Sequence, residues 1–151
     1  MQRHQSKIYA LSLKMLGNRH DAEDVSQEVM LKIFHHIQSF SHQSKFTTWL
    51  YRIVSNRCLD ELRVRKRSTQ RFVPLEEEHD VALPDATGQS DDAMTLQKAM
   101  AALNSDERML IHLRYTAGLS FDEIADVMEL GLSAVKMRHS RCMTKMYAFL
   151  Q

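Results

Sequence analysis

The chain has 151 residues, 44% hydrophobic and 26% charged, with only four Gly and two Pro. That fits one soluble domain or two small ones and favours helices; no apolar run approaches the ~20 residues of a membrane span. The net charge of +1 hides an asymmetry: residues 1–72 carry 13 Lys+Arg against six Asp+Glu, residues 73–95 carry seven acids and no Lys or Arg, and residues 96–151 carry seven against six. The first segment thus reads as a polyanion binder and the middle as a charged spacer. Cys58 and Cys142 fall at apolar helical positions, as buried, reduced thiols of a cytosolic protein do. The opening MQRHQSKIYALSLK lacks the apolar region of a signal peptide, so a cytoplasmic protein is expected.

Ile8, Leu11, Met15 and Leu16 follow helical spacing, and Gly17-Asn18 stops the first helix. Asp21 is the expected cap of the second, with Glu23 and Asp24 in its favourable first turn. Val25, Val29, Ile33 and Ile37 form its buried stripe, to about Gln38, and the polar stretch from Ser39 to Lys45 reads as a loop holding Phe40. Thr47 or Thr48 is the expected cap of a third helix that buries Leu50, Ile53, Val54, Cys58 and Leu62. Residues 73–92 hold both prolines and the run Glu76-Glu77-Glu78, and read as a flexible linker that cannot bury enough apolar surface to offset chain entropy.

Beyond the linker, Ala93, Leu96, Met100 and Leu103 predict a short helix. Asn104 or Ser105 caps another, with Leu110, Ile111, Leu113 and Tyr115 inward and Gly118 at its end. Ser120 with Glu123 is a capping box. A short helix follows, then the turn Leu130-Gly131-Leu132, then a last helix capped by Ser133. Short helix, Gly-containing turn and capped helix together make a helix-turn-helix pattern. At about 100° per residue, Val135, His139, Cys142, Met146 and Phe149 share one side of the last helix. Met137, Ser140, Arg141 and Thr144 point the other way, flanked by Lys136 and Arg138, a face suited to phosphates and base edges or to an ordinary solvated surface.

The stretch from Phe46 to Arg71 combines Phe46, Trp49 and Tyr51 with Arg63, Arg65, Lys66, Arg67 and Arg71. Aromatic rings stack on unpaired bases and cations neutralise phosphates; equally, aromatics anchor a helix in a core and a charge run is a solvated face. Asp21, Asp24 and Glu28 share a helix face, but no His stands at i+4 of any of them, so capping and a charged contact surface explain them better than a metal. No H-x-x-x-H pair, CxxC, catalytic triad or phosphate loop is present, and no metal, cofactor or catalytic residue is expected. A dimeric helix-turn-helix regulator and a metal-dependent hydrolase are the competing functions; the positive charge of the first half argues against a ligand domain there.

The stretches LGNRHDAEDVSQEVMLKIF, SFSHQSKFTTWLYRIVSNRCLDELR and LRYTAGLSFDEIADVMELGLSAVKMRHSR, in that order, resemble a bacterial sigma factor of the extracytoplasmic-function (ECF) group. The resemblance covers nearly the whole chain apart from the linker. It implies an all-α protein of two small helical domains: sigma domain two over residues 1–72, a flexible acidic linker over 73–90, and sigma domain four over 91–151. Asp24, Gln27, Glu28 and Lys32 match the helix that docks on the β′ clamp helices of core RNA polymerase.

By the same resemblance, Phe40, Ser41, Ser44 and Phe46, with Asn56 at the edge of a flipped-base pocket, match the part that reads the minus-ten element. Arg52, Arg57, Arg63 and the basic run after them would hold the strand backbone, with Trp49 as a core anchor. Ser133, Lys136, Met137, Arg138, Ser140 and Arg141 match the minus-thirty-five recognition helix, although Met137 and His139 stand where more basic or bulky residues are common. The partners implied are core polymerase (β′ clamp helices and β flap), promoter DNA and an anti-sigma factor, often membrane-tethered; the free protein would be a monomer. Family members usually carry a further helix ahead of the point where this chain begins.

Overall fold

The computed structural model describes residues 2–41, 45–72 and 90–150. Among these residues seven α-helices follow in order: α1 Gln2–Leu16, α2 Arg19–His36, α3 Phe46–Phe72, α4 Asp91–Ala101, α5 Ser105–Ile111, α6 Phe121–Met128 and α7 Leu132–Leu150. Among the described residues no strand occurs, as the all-α expectation requires. The expected linker lies almost wholly outside the described residues, and Ser90 at its end caps α4 by accepting from the Ala93 amide at 3.4 Å.

The first three helices bury the expected stripes. Ile8, Leu11, Met15 and Leu16 of α1 meet Val25, Val29 and Ile33 of α2 and Leu50, Val54 and Cys58 of α3, none of them more than 4% exposed. Gly17, at φ 78, turns the chain between α1 and α2 in a conformation that costs a side-chain-bearing residue but not glycine. Buried Ser12 and Ser26 bond the carbonyls four residues back, at 2.8 and 2.6 Å, so neither hydroxyl is orphaned.

Three local expectations shift. Asn18, not Asp21, caps α2: its side chain accepts from the Asp21 amide at 2.8 Å and donates to the Asp21 carboxylate at 2.9 Å. The helix ends at His36, and Ile37 falls in a 3₁₀ turn, 43% exposed and off the buried stripe. α3 starts at Phe46, so Thr47 and Thr48 lie inside its first turn.

In the second half Asn104 and Glu107 form one capping box, and Ser120 and Glu123 form another. After Ile111 the helix widens into a single π turn, His112–Thr116, closed by the Ala117 amide on the His112 carbonyl at 3.0 Å. Tyr115 leaves this turn 60% exposed, not inward, and Gly118 at φ 73 ends the segment. Leu96 is 51% exposed while Ala99 is buried, so α4 packs through a face rotated from the expected one.

α6 ends on Glu129 at φ 56, so the left-handed residue of the turn precedes Gly131. α7 already begins at Leu132, which places Ser133 inside its first turn instead of at the cap. Val135, Cys142 and Met146 bury as expected, whereas Phe149 is 50% exposed near the helix end.

The halves pack together through α3 and α6, and a continuous apolar cluster runs through both. Arg52 donates Nε and Nη2 to the Asp126 carbonyl at 3.1 and 2.8 Å, and Lys14 donates to Thr116 Oγ1 at 3.2 Å.

Candidate nucleic-acid interface

The outer face of α7 is a continuous exposed surface. Ser133, Lys136, Ser140 and Arg141 are exposed, Met137 is 57% exposed, and Arg138 is half-buried. The burial of Val135, Cys142 and Met146 fixes which way this face points. It holds three cations and no acid, so it presents donors to phosphates and base edges with an apolar contact between them.

On α3, Trp49, Arg52, Asn56 and Arg63 recur at spacings of three, four and seven and so share a side of the helix. Asn56 is exposed. At the start of α3, Phe40, Phe46 and Trp49 form a triangle of rings with centroids 5.4–5.8 Å apart, and His4 packs edge-on to Phe46 at 5.1 Å. Phe40, Phe46 and Trp49 are all half-buried, so the triangle is both anchor and rim. Ser41 is exposed; Ser44 lies outside the described residues.

The arginines expected to hold the strand backbone are each engaged within the chain. Arg52 holds the Asp126 carbonyl, Arg63 pairs with Asp60 at 3.0 Å, and Arg57 reaches two carboxylates. Arg57 Nε and Nη2 lie 2.6 and 3.3 Å from Glu28, and Nη1 lies 3.1 Å from Glu61. These bonds hold the Glu28 carboxyl below its usual range and push the Arg57 guanidinium further up. Arg65 bonds the Leu16 carbonyl at 2.7 Å and the Asp21 carboxylate, tying α3 to the α1–α2 turn.

Asp24, Gln27, Glu28 and Lys32 all lie on the exposed side of α2. Beside them runs a groove between α1 and α2 lined by Gln5, Tyr9, Glu23, Gln27, Met30 and Leu31. Leu31 and Phe34 are 60% and 70% exposed, an apolar addition to this face beyond the residues expected there from the sequence. Their signal was present: both are large apolar residues off the buried stripe.

Among the acids here, Asp21 and Asp24 lie with His20 within 4.8 Å of one another. Asp21 already accepts from Asn18 and Arg65, whose bonds lower its pKa, Asp24 pairs with His20 at 3.4 Å, and Glu28 turns to Arg57. That is a tied helix start more than an open ligand set.

Residues 1–68 match the Sigma-70 region 2 family and residues 99–148 match Sigma-70, region 4. The ECF RNA polymerase sigma factor SigW of Bacillus subtilis is 34% identical over 91% of this chain and 80% of its own length. The chain belongs to the ECF RNA polymerase sigma factors. The RNA polymerase sigma-H factor of Pseudomonas aeruginosa is 31% identical, over 90% of this chain and 76% of its own. The sigma factor RpoE of Bartonella quintana, solved in complex with the anti-sigma factor NepR, aligns at TM-score 0.78 and 26% identity over 99% of this chain and 92% of that one. CnrH, solved with the cytosolic domain of CnrY, shares the fold at TM-score 0.72 and 23% identity, over 99% and 83% of the two chains.

The two matched regions carry the two candidate faces of this sigma factor. Region 2 holds α2 and the described length of α3 up to residue 68; region 4 holds α5 to α7 up to residue 148. Among the described residues no helix is long and apolar enough to cross a membrane.

Proposed function

We propose that this sigma factor binds core RNA polymerase through α2 and divides promoter recognition between α7 and α3. The observation that carries this reading is the exposed basic face of α7, set on a capped helix-turn-helix and matched to region 4. Residues 1–72 act as domain two, 73–90 as a linker and 91–151 as domain four. Asp24, Gln27, Glu28 and Lys32, with the exposed Leu31 and Phe34 beside them, meet the β′ clamp helices, and domain four meets the β flap.

Lys136 and Arg138 neutralise phosphates of the minus-thirty-five duplex, while Ser133, Met137, Ser140 and Arg141 face its base edges. Phe40, Ser41, Ser44, Phe46 and Asn56 receive the melted minus-ten strand, and Arg52, Arg57 and Arg63 exchange their internal partners for its phosphates. Unpairing costs a few kcal/mol and is offset when released bases and phosphates find these groups. The chain itself makes and breaks no bond; the polymerase supplies the chemistry. It works in the cytoplasm, is monomeric when free, and is held inactive by an anti-sigma factor, a partner class supported by the solved RpoE–NepR pair.

The test is association with purified core polymerase at low salt, followed by transcription from a promoter library. Binding plus initiation from a shared two-element sequence is expected. A chain that fails to associate, or that associates without directing initiation, refutes the reading.

A further inference from the structure

His139 sits between Arg138 and Ser140, on the flank of α7 between the buried side and the exposed face. Its Nε2 lies 2.8 Å from the Tyr115 hydroxyl, with the ring centroids 5.9 Å apart. Phe121, the first residue of α6, meets the imidazole edge-on at 5.0 Å. The Arg114 guanidinium lies over the Phe121 ring at 4.4 Å and is itself fixed by a 3.0 Å bond to the Leu119 carbonyl. Arg114, Phe121, His139 and Tyr115 thus form a chain of contacts from the turn before α6 to the middle of α7.

The core does not account for this arrangement. Tyr115 keeps 60% of its surface exposed, so burial is not what holds the ring in place. It emerges from the π turn His112–Thr116, and single π turns inside helices are frequent at functional sites. The residues that bury α7, Val135, Cys142 and Met146, fix its distance from the core but lie along one line. α4, α5 and α6 also pack against α7, and Lys145 bonds Glu107 at 2.7 Å towards its C-terminal end; the Tyr115–His139 bond is a side-chain tie nearer the Lys136–Arg141 face. A roll of about 20° moves atoms on the 5–6 Å helix radius by roughly 2 Å, more than a hydrogen bond to a base edge tolerates.

We infer that Tyr115 and His139 form a clasp that stops α7 from rolling, which makes both of them positioning residues for reading the minus-thirty-five duplex. The inference rests on the proposed role of α7 as the duplex-reading helix. The clasp needs a polar group at position 139, and the bond holds in either direction: the hydroxyl donates to Nε2, or a protonated Nε2 donates to the hydroxyl oxygen. Burial, aided by the Arg114 charge, lowers the His139 pKa, so the ring adds no cation of its own at neutral pH.

The experiment uses the full chain assembled with core polymerase. A randomised duplex pool first defines the preferred minus-thirty-five sequence. Wild type, Tyr115→Phe, His139→Leu, His139→Gln and the Tyr115→Phe/His139→Leu double variant are then titrated with that duplex and with single-base changes of it, alongside thermal unfolding of each variant. Tyr115→Phe and His139→Leu are expected to weaken the preferred duplex about fivefold, the size of one hydrogen bond. They should narrow the gap to the single-base variants, and the double variant should lose no more than either single one. Gln at 139 can still bond the hydroxyl and should restore most of the gap.

Unchanged discrimination in Tyr115→Phe and His139→Leu overturns the clasp, as do additive losses or losses that follow lowered unfolding midpoints. A uniform weakening on every duplex by Tyr115→Phe alone makes Tyr115 a phosphate contact and overturns it equally. If wild-type holoenzyme enriches no sequence at all, the proposed duplex-reading role of α7 fails instead.

Discussion

Arg57 joins α3 to α2, and a mutant cycle across it measures that joint. Its guanidinium makes two bonds to Glu28 and one to Glu61, while the three side chains remain 30%, 55% and 25% exposed. Exposed pairs contribute about 0.2–1 kcal/mol. The forked geometry on Glu28 places that pair near the top of the range, about 1 kcal/mol, and Glu61, four residues along the same helix, adds about 0.3–0.5. Arg57→Gln, Glu28→Gln and the double variant, unfolded in urea, give the coupling directly.

A coupling of about 1 kcal/mol is expected at low salt and pH 7, and most of it should vanish near 1 M salt, where the screening length is about 3 Å. The pH direction follows from the lowered Glu28 pKa. A depressed carboxylate contributes stability above its unfolded value, 4.5, and loses it as pH falls through the folded one. The coupling should therefore be constant from pH 7 to about 5 and decline below 4.5. A value near zero at pH 7 and low salt, or one indifferent to salt, refutes the assignment of Arg57 as an ion-paired joint.

Other substitutions probe separate links. Leu50, fully buried between the first three helices, should cost about 2–5 kcal/mol as Leu50→Ala, read by urea unfolding. Arg141→Ala should weaken the preferred minus-thirty-five duplex by about 1–3 kcal/mol and relax preference at one base pair. Lys136→Ala should weaken all duplexes alike and reduce the salt slope by about 1, as titrations at several salt concentrations would show. Arg52→Ala removes two bonds to the Asp126 carbonyl, so amide hydrogen exchange in α6 should accelerate roughly fivefold, the equivalent of one net hydrogen bond, while α2 is unaffected.

What the sequence showed most clearly was periodicity. Val25, Val29 and Ile33, or Val135, Cys142 and Met146, recur with the helix period and are buried as that period demands. The capping box at Ser120–Glu123 was readable because both partners lie within four residues, while the cap left open between Asn104 and Ser105 is Asn104, boxed with Glu107. Where two residues compete for one cap, spacing alone does not choose: Asn18 reaches the Asp21 amide and takes the role from Asp21. Tyr115 reads as inward in a regular α-helix, but the extra residue of a π turn shifts everything after it. Contacts remote in sequence were the least legible: Arg57 finds Glu28 29 residues away and Arg52 finds Asp126 74 away, and no local pattern encodes either. Hence Arg52, Arg57, Arg63 and Arg65 read as free cations in the sequence and as engaged ones in the fold.

That pairing separates the arginines by what they can do. A cation serves DNA only if its internal partner is exchangeable, and exchangeability follows exposure: an open pair contributes at most about 1 kcal/mol, which a phosphate readily replaces. Arg63 and Asp60 are 64% and 62% exposed, so under the proposed role a strand phosphate would displace Asp60 at almost no cost. Arg57 is intermediate, because freeing it strands two carboxylates at once. Arg65 and Asp21, at 27% and 31%, are about as exposed as Arg57 and Glu61 at 30% and 25%; what sets Arg65 apart is that it also holds the Leu16 carbonyl that ends α1. Releasing it would take the donor from a helix-terminal carbonyl and leave the Asp21 carboxylate to Asn18, so Arg65 belongs to the scaffold. The basic run after Leu62 is thus not one uniform surface. Substituting Arg63 should change strand binding with little effect on stability. Arg65→Gln should do the reverse, and an Arg65 variant with wild-type stability but weakened strand capture would show that this division is wrong.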